Sequence, residues 1–395
     1  MACSNYRITE SHTALAKRMN RLPMKALMNE TFLEILALLY TEEEAAILSK
    51  APLKPATASR IARCSGRRTE EIAPLLDRLA GRGLLAAGGE GERKYFVLAF
   101  LPGLFEYYTV MGDDDEKKQA FAALHERYYN EEYARNANKK RLFLARVIPI
   151  EESITPQMGI MPGESVREAA LRHDYWAVAP CACKKQNALI GRACSKPVEV
   201  CMQFGNAGRG AVKTGFSRRI DRTEVLDIID AAEEAGLVHV TDNVERPHLM
   251  CNCCGCCCDA MATINRFNMP AVFAASRYQA SPVSTACKAC GLCERSCPTQ
   301  ALARRDGTLH LRPERCIGCG VCASHCRHGG IRLVRREGRH HTPENYGQLI
   351  ITGMQQLSGI DRLAPTLAPR MSRMIGNWIQ KGMDKGIERR KAALD

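Results

Sequence analysis

The sequence predicts an α+β chain assembled from several modules. Three observations carry this expectation. Helical and strand patterns alternate over the first hundred residues. Eighteen of the twenty cysteines fall between Cys181 and Cys326. The remainder is cysteine-free and basic, with an excess of seven cations after residue 326 out of a net +13 for the chain. The expected modules are 1–100, a helical linker over 101–148, a cysteine-rich α/β module over 149–270, a metal–sulfur module over 280–335, and a tail over 336–395.

With 395 residues and 46% hydrophobic content, the chain can bury cores without disulfide staples. No run of 18 apolar residues is present, which excludes an ordinary membrane-spanning helix. Met1 to Lys25 lacks the apolar segment of a secretory signal, so the cysteines are expected in a reducing, cytoplasmic setting. There, metal ligation is a better explanation for them than disulfides. Cys3 and Cys64 lie outside the cluster and read as ordinary thiols.

Residues about 28–100 read as a winged helix. Helices are expected over Glu42 to Lys50, Thr57 to Arg63 with Thr57 as cap, and Thr69 to Gly81 with Ile72, Leu75, Leu76 and Leu79 as apolar stripe. A strand is expected from Gly83, a wing turn at Gly88–Gly91, and a returning strand over Arg93 to Leu98. Such a fold often reads DNA with its third helix. Here Arg63, Arg67 and Arg68 precede that helix, but Glu70, Glu71 and Asp77 lie on it and oppose phosphate contact. Dimerisation or partner docking is therefore favoured over DNA binding. Residues 101–147 read as charged, solvated linker helices.

Tyr175 to Pro180 is a short apolar run, read as a buried strand ending at a loop that carries Cys181 and Cys183, followed by Cys194 and Cys201. Four thiolates suffice for one metal or one cubane. Asp221 to Gly236 has helical periodicity, with Gly236 as its stop, and Leu237 to Val240 reads as a strand, with His239 a structural residue. Then come Cys251, Cys253, Cys254, Cys256, Cys257 and Cys258, six cysteines in eight residues. Neighbouring side chains of an extended backbone point in opposite directions, so this stretch can serve two centres. The two groups hold one cluster each, or they combine and share ligands. At least one further Fe–S cluster is expected among these ten, with structural zinc or a dithiol redox site as alternatives.

The strongest signal follows. Cys287, Cys290, Cys293 and Cys297 form one C-x2-C-x2-C-x3-C run, and Cys316, Cys319, Cys322 and Cys326 form another. This is the bacterial dicluster ferredoxin spacing, in which the fourth cysteine of each run serves the other cluster. One [4Fe–4S] cluster is expected on Cys287, Cys290, Cys293 and Cys326, the second on Cys316, Cys319, Cys322 and Cys297. Gly291, Gly318 and Gly320 allow the positive φ and close approach that such loops need. Pro298 follows the first run, but Arg327 and His328 follow the second, where proline is usual. Gly205-Asn-Ala-Gly208-Arg-Gly210 lacks the spacing of a dinucleotide fingerprint.

In the tail, Met371, Met374, Ile375, Trp378, Met383 and Ile387 recur at helical spacing among cations. The helix of 370–394 offers contact with an anionic surface at the inner membrane face, with an acidic partner, or with its own protein.

The arrangement resembles a group of iron–sulfur proteins of anaerobic bacteria and archaea. Their pattern is matched here by Ala179 to Lys184, Cys194 and Cys201, Glu234 to His239, Cys251 to Cys258 and the two ferredoxin runs; some members carry a winged-helix N-terminus. The resemblance implies electron transfer to or from a redox partner protein and names no substrate. Two other readings stay open: an Fe–S oxidoreductase with its site at Cys251–Cys258, and a redox-responsive DNA-binding regulator.

Overall fold

A computed structural model describes residues 6–22, 25–89, 92–111, 115–136, 144–154, 159–160, 163–269, 273–337 and 342–349. The tail helix expected over 370–394, Cys3, the tip of the wing turn, and the charged stretch at Lys139 to Arg141 lie outside them. The chain is of mixed helix and strand. It divides into two compact units that interleave along the sequence. One comprises residues 1–137, 174–231 and 254–262; the other comprises 138–173, 232–253 and 263–395. The sequence suggests consecutive modules, whereas the structure distributes the cysteine-rich stretch over both units.

The first unit opens with helices Glu10–Met19 and Glu30–Leu39, neither of which the sequence reading singled out. Asn29 caps the second by accepting from the Phe32 N–H. Helices Glu42–Ser49, Ala58–Ser65 and Thr69–Gly81 follow where helical spacing predicts them, and Thr57 caps the middle one by accepting from Arg60 N–H. Strands Ala56–Thr57, Lys94–Phe96 and Ala86–Gly88 form an antiparallel sheet with Lys94–Phe96 in the middle. The strand expected from Gly83 starts at Ala86, because Gly83, at φ 72°, and Leu84 close the preceding helix by donating their N–H groups to the Ala80 and Leu79 carbonyls.

The expectation of solvated linker helices over 101–147 is corrected by helix Glu116–Asn136. It buries Phe121 and Tyr128 in the same core as Phe32, Leu36 and Phe100. Phe100 meets Tyr128 edge-on at 5.0 Å, and His125 stacks on Phe105 at 4.0 Å. The charges on the outer turns hide this inner aromatic stripe from a composition count. Strand Trp176–Pro180 lies between Glu199–Phe204 and Arg218–Ile220, all antiparallel. Helix Gly205–Lys213 absorbs the glycine-rich stretch. A Cβ at Gly208 would sit 2.7 Å from the Gln203 carbonyl oxygen, so this glycine serves close packing.

In the second unit, strand Val238–Asp242 pairs antiparallel with Ala145–Ile148 and with Leu249–Cys253. All five residues of Val238–Asp242 are buried. His239 is held by Asn252 at 2.6 Å and Glu233 at 3.2 Å, and Arg167 also pairs with Glu233, which gives His239 a structural role. Two antiparallel ribbons complete the unit: Tyr278–Pro282 with Ile331–Arg335, and Leu302–Arg305 with Thr308–Leu311. Short helices Leu292–Arg295 and Val321–Ser324 each start from a glycine in the left-handed region, Gly291 (φ 72°) and Gly320 (φ 84°). No helix among the described residues is long and apolar enough to cross a membrane.

Candidate metal centres

The two ribbons and two short helices of the second unit frame two cavities. Cys287, Cys290, Cys293 and Cys326 line one, together with Gly330, Arg304 and His328. Cys297, Cys316, Cys319 and Cys322 line the other, with Ala280, Leu302 and Leu333 among its apolar walls. Each cavity thus draws three cysteines from one run and the fourth from the other. The folding reason is local. Each run leaves a loop for a single helical turn, so its first three thiols face inward, and its fourth is carried past the end of that turn. The backbone N–H of Ala301 donates to the Cys297 sulfur at 3.2 Å, the kind of amide–sulfur bond that tunes a cluster.

These walls fit a thiolate-bound cluster. Cys319 and Cys322 are buried, and burial pushes both thiols above their usual range. Proton loss there is unfavourable without a cation to receive the thiolate. Cys287 is held low instead, first by the backbone N–H of Ala289 and then by Arg304. No local motif marks Arg304 in the sequence; the turn at Asp306–Gly307 folds its strand back to the cavity.

Comparisons with known proteins bear on this segment. Residues 286–336 match the family of 4Fe-4S dicluster domains. Residues 286–336 form a ferredoxin-type dicluster domain. Its cofactor is the [4Fe–4S] cluster. The chain is 33% identical over 85 residues to an uncharacterized ferredoxin of Methanocaldococcus jannaschii, covering 21% of this chain and 49% of that one. It is 38% identical over 55 residues to the electron transport protein HydN of Escherichia coli, covering 13% and 31%. The chain therefore spans about half, or less, of the curated relatives it matches. No solved structure matches it significantly.

Cations at the rim of the first cavity favour the reduced, more negative cluster. Arg327→Pro, which removes an exposed cation beside Cys326, is expected to lower that cluster's potential. Arg304→Gln is expected to lower it further, because Arg304 lines the cavity. The expected size is roughly 10–40 mV, the range a surface charge contributes through a one-electron couple. Potentiometric titration checks both; an unchanged or raised potential rejects the assignment.

The upstream cysteines are regrouped by the fold. In the first unit, the sulfurs of Cys194, Cys254, Cys256 and Cys257 all lie within 4.8 Å of one another. Cys194 sits in the loop after helix Ala182–Leu189. The other three sit in a turn, closed by a bond from Cys258 N–H to the Cys254 carbonyl at 3.2 Å. An extended backbone, as expected from the sequence, would splay adjacent thiols; the turn converges them instead. Asn187 ties the parts together, donating to the carbonyls of Cys183 at 2.8 Å and Cys257 at 3.1 Å. Cys254 is drawn down to about 5, first by a hydrogen bond from Cys257 and with a smaller contribution from Lys184; Cys257 is pushed up. Lys184 is buried and donates to the Pro197 carbonyl at 2.5 Å. Only its place in the Ala179 to Lys184 motif marked it in the sequence.

Cys183 joins a second group of thiols in the same unit. It is hydrogen-bonded to Cys181 and to Cys258, and those bonds with burial push it up. Cys201 lies in strand Glu199–Phe204, accepts from the Gln203 side-chain amide at 3.2 Å, and packs with Ala179 and Phe216. In the second unit, Cys251 and Cys253 alternate with Asn252 along strand Leu249–Cys253. Cys64 is exposed on helix Ala58–Ser65.

Proposed function

We propose that this chain is an electron-transfer protein that relays single electrons through two [4Fe–4S] clusters to or from a redox partner protein. The observation that carries the reading is the pair of four-cysteine cavities, each combining both runs. The first cluster is assigned to Cys287, Cys290, Cys293 and Cys326, and the second to Cys297, Cys316, Cys319 and Cys322. The printed descriptions of the relatives, a ferredoxin and an electron transport protein, support the same chemistry. A further Fe–S centre is proposed among the remaining upstream cysteines, with Cys181, Cys183 and Cys201 of the first unit as candidate ligands. Two cubanes carry about eight iron and eight sulfide per chain, and a third raises both to about twelve. Anaerobic purification with iron and sulfide quantitation and EPR on reduction tests this. A count near eight removes the third centre, and a colourless, EPR-silent protein removes the electron-transfer reading itself.

We read the N-terminal elements as a winged helix used for docking. Two of the three arginines that precede the third helix are paired with acids, Arg67 with Glu43 and Arg68 with Glu71, and Arg93 of the returning strand is paired with Asp77. Duplex DNA is expected to bind weakly and without sequence preference. Tight, sequence-specific binding that changes with cluster state would move the reading to a redox-responsive regulator.

A further inference from the structure

We propose that Cys194, Cys254, Cys256 and Cys257 hold a single zinc ion in tetrahedral thiolate coordination, a site distinct from the iron–sulfur clusters. Four thiolates at about 2.3 Å from one ion stand about 3.8 Å from each other, the edge of the tetrahedron. The sulfurs of Cys256 and Cys257 are 3.8 Å apart, and all four lie mutually within 4.8 Å. In a cubane each thiolate sits on its own iron, and the whole four-iron, four-sulfide core stands between the ligands. A set this compact has no room for that core. The ferredoxin cysteines provide the contrast, since they line open cavities. Among the described residues, the Cys194 group is the one that meets the single-ion spacing.

The surroundings suit that ion. Four protein thiolates close the coordination sphere, as in structural zinc sites rather than catalytic ones. Soft, tetrahedral ligation selects zinc or iron, and among single divalent ions zinc binds more tightly than ferrous iron. Zinc with four thiolates carries a net double negative charge. Lys184, 4% exposed, supplies a buried cation whose field reaches Cys254. Asn187 pre-positions the turn against the helix that leads to Cys194. The ion would then staple the loop after helix Ala182–Leu189 to the Cys254–Cys257 turn. It closes a long segment of chain, where a cross-link is most effective in restricting the unfolded state. Zinc has no redox chemistry, so the site serves stability and leaves electron transfer to the clusters.

The test uses the full chain, purified anaerobically. Expected are one zinc per chain in addition to the iron, and an X-ray absorption spectrum at the zinc edge with four sulfur neighbours at about 2.3 Å. In the double variant Cys194→Ser/Cys256→Ser the zinc is lost while iron and acid-labile sulfide stay at the unmodified level. The proposal is overturned if the unmodified chain carries no zinc, or if its zinc has nitrogen or oxygen neighbours. It is equally overturned if the double variant loses iron and sulfide in equal amounts while zinc stays. The absorption spectrum is read on the unmodified chain, so it decides even where the variant does not fold. Iron content below that of two clusters would count against the electron-transfer reading and leave the zinc result standing.

Discussion

Gly318→Ala is expected to lose the cluster assigned to Cys297, Cys316, Cys319 and Cys322, and to destabilise the ferredoxin domain by about 2–5 kcal/mol. Gly318 has φ 69°, in the left-handed region. An alanine there carries about 1–2 kcal/mol of backbone strain. Its Cβ would also lie 2.0 Å from the Tyr278 carbonyl oxygen and 2.3 Å from Ser276 Oγ, an overlap worth roughly another 1–3 kcal/mol. Neither neighbour has freedom to yield. Tyr278 is fully buried in a paired strand, and Ser276 Oγ already donates to the Gly318 carbonyl at 2.7 Å. Gly329→Ala provides the control. Its φ is 65°, but no atom lies within 4 Å of the new Cβ, so only the strain of about 1–2 kcal/mol is expected. Iron content and thermal midpoint are the measurements. Gly318→Ala should fall by about four iron per chain, whereas Gly329→Ala should keep its iron. Full iron and an unchanged midpoint in Gly318→Ala would exclude the close approach described here.

The second large effect is on acid stability. His125 is fully buried among Phe100, Phe105, Phe121 and Tyr129. The Asp259 carboxylate stands 3.9 Å away, too far for a hydrogen bond, and Glu126 offsets only part of the burial. Burial holds the imidazole neutral and lowers its pKa to about 3. An unfolded chain takes up that proton near pH 6.5, whereas the folded chain does so only near pH 3. The unfolded state therefore binds more protons throughout this window. Stability contributed by neutral His125 is complete above pH 6.5 and is lost as pH falls toward 3. The loss is about 1.4 kcal/mol per pH unit, or roughly 2 kcal/mol by pH 5. Anaerobic urea unfolding at pH 7.5 and pH 5 should show His125→Phe with a pH-dependent loss smaller by that amount. A residual slope of the same sign is expected from His173, which burial lowers to about 4. Equal slopes in the two proteins would mean that His125 protonates as readily folded as unfolded.

Much of the ferredoxin domain is legible before folding because its information is local. Three cysteines at intervals of three residues, with Gly291, Gly318 and Gly320 beside them, already require tight loops of positive φ. The periodicity of Asp221 to Gly236 likewise announces helix Arg222–Glu234. Long-range burial is not local, and there the reading falls short. Helix Glu116–Asn136 looks solvated because its charges outnumber its aromatics, yet Phe121 and Tyr128 are the residues that its partners enclose. Helix Glu10–Met19 is concealed in the same way, with His12 and Arg18 buried on backbone carbonyls of Tyr40 and Ala51.

By itself, the amino-acid sequence determines that this is a metal–sulfur protein, and it singles out eight cysteines as the expected ligands of the dicluster domain, since spacing along a short loop dictates which thiols converge. For the other ten, tertiary structure alone sets which thiols come together. Cys194 lies sixty residues from Cys254 in the sequence, and no local pattern links them. They meet because the backbone leaves its strand at Cys253, turns, and is clasped by Asn187 to the helix leading to Cys194. Which of these thiols stand within reach of one another is set by that packing.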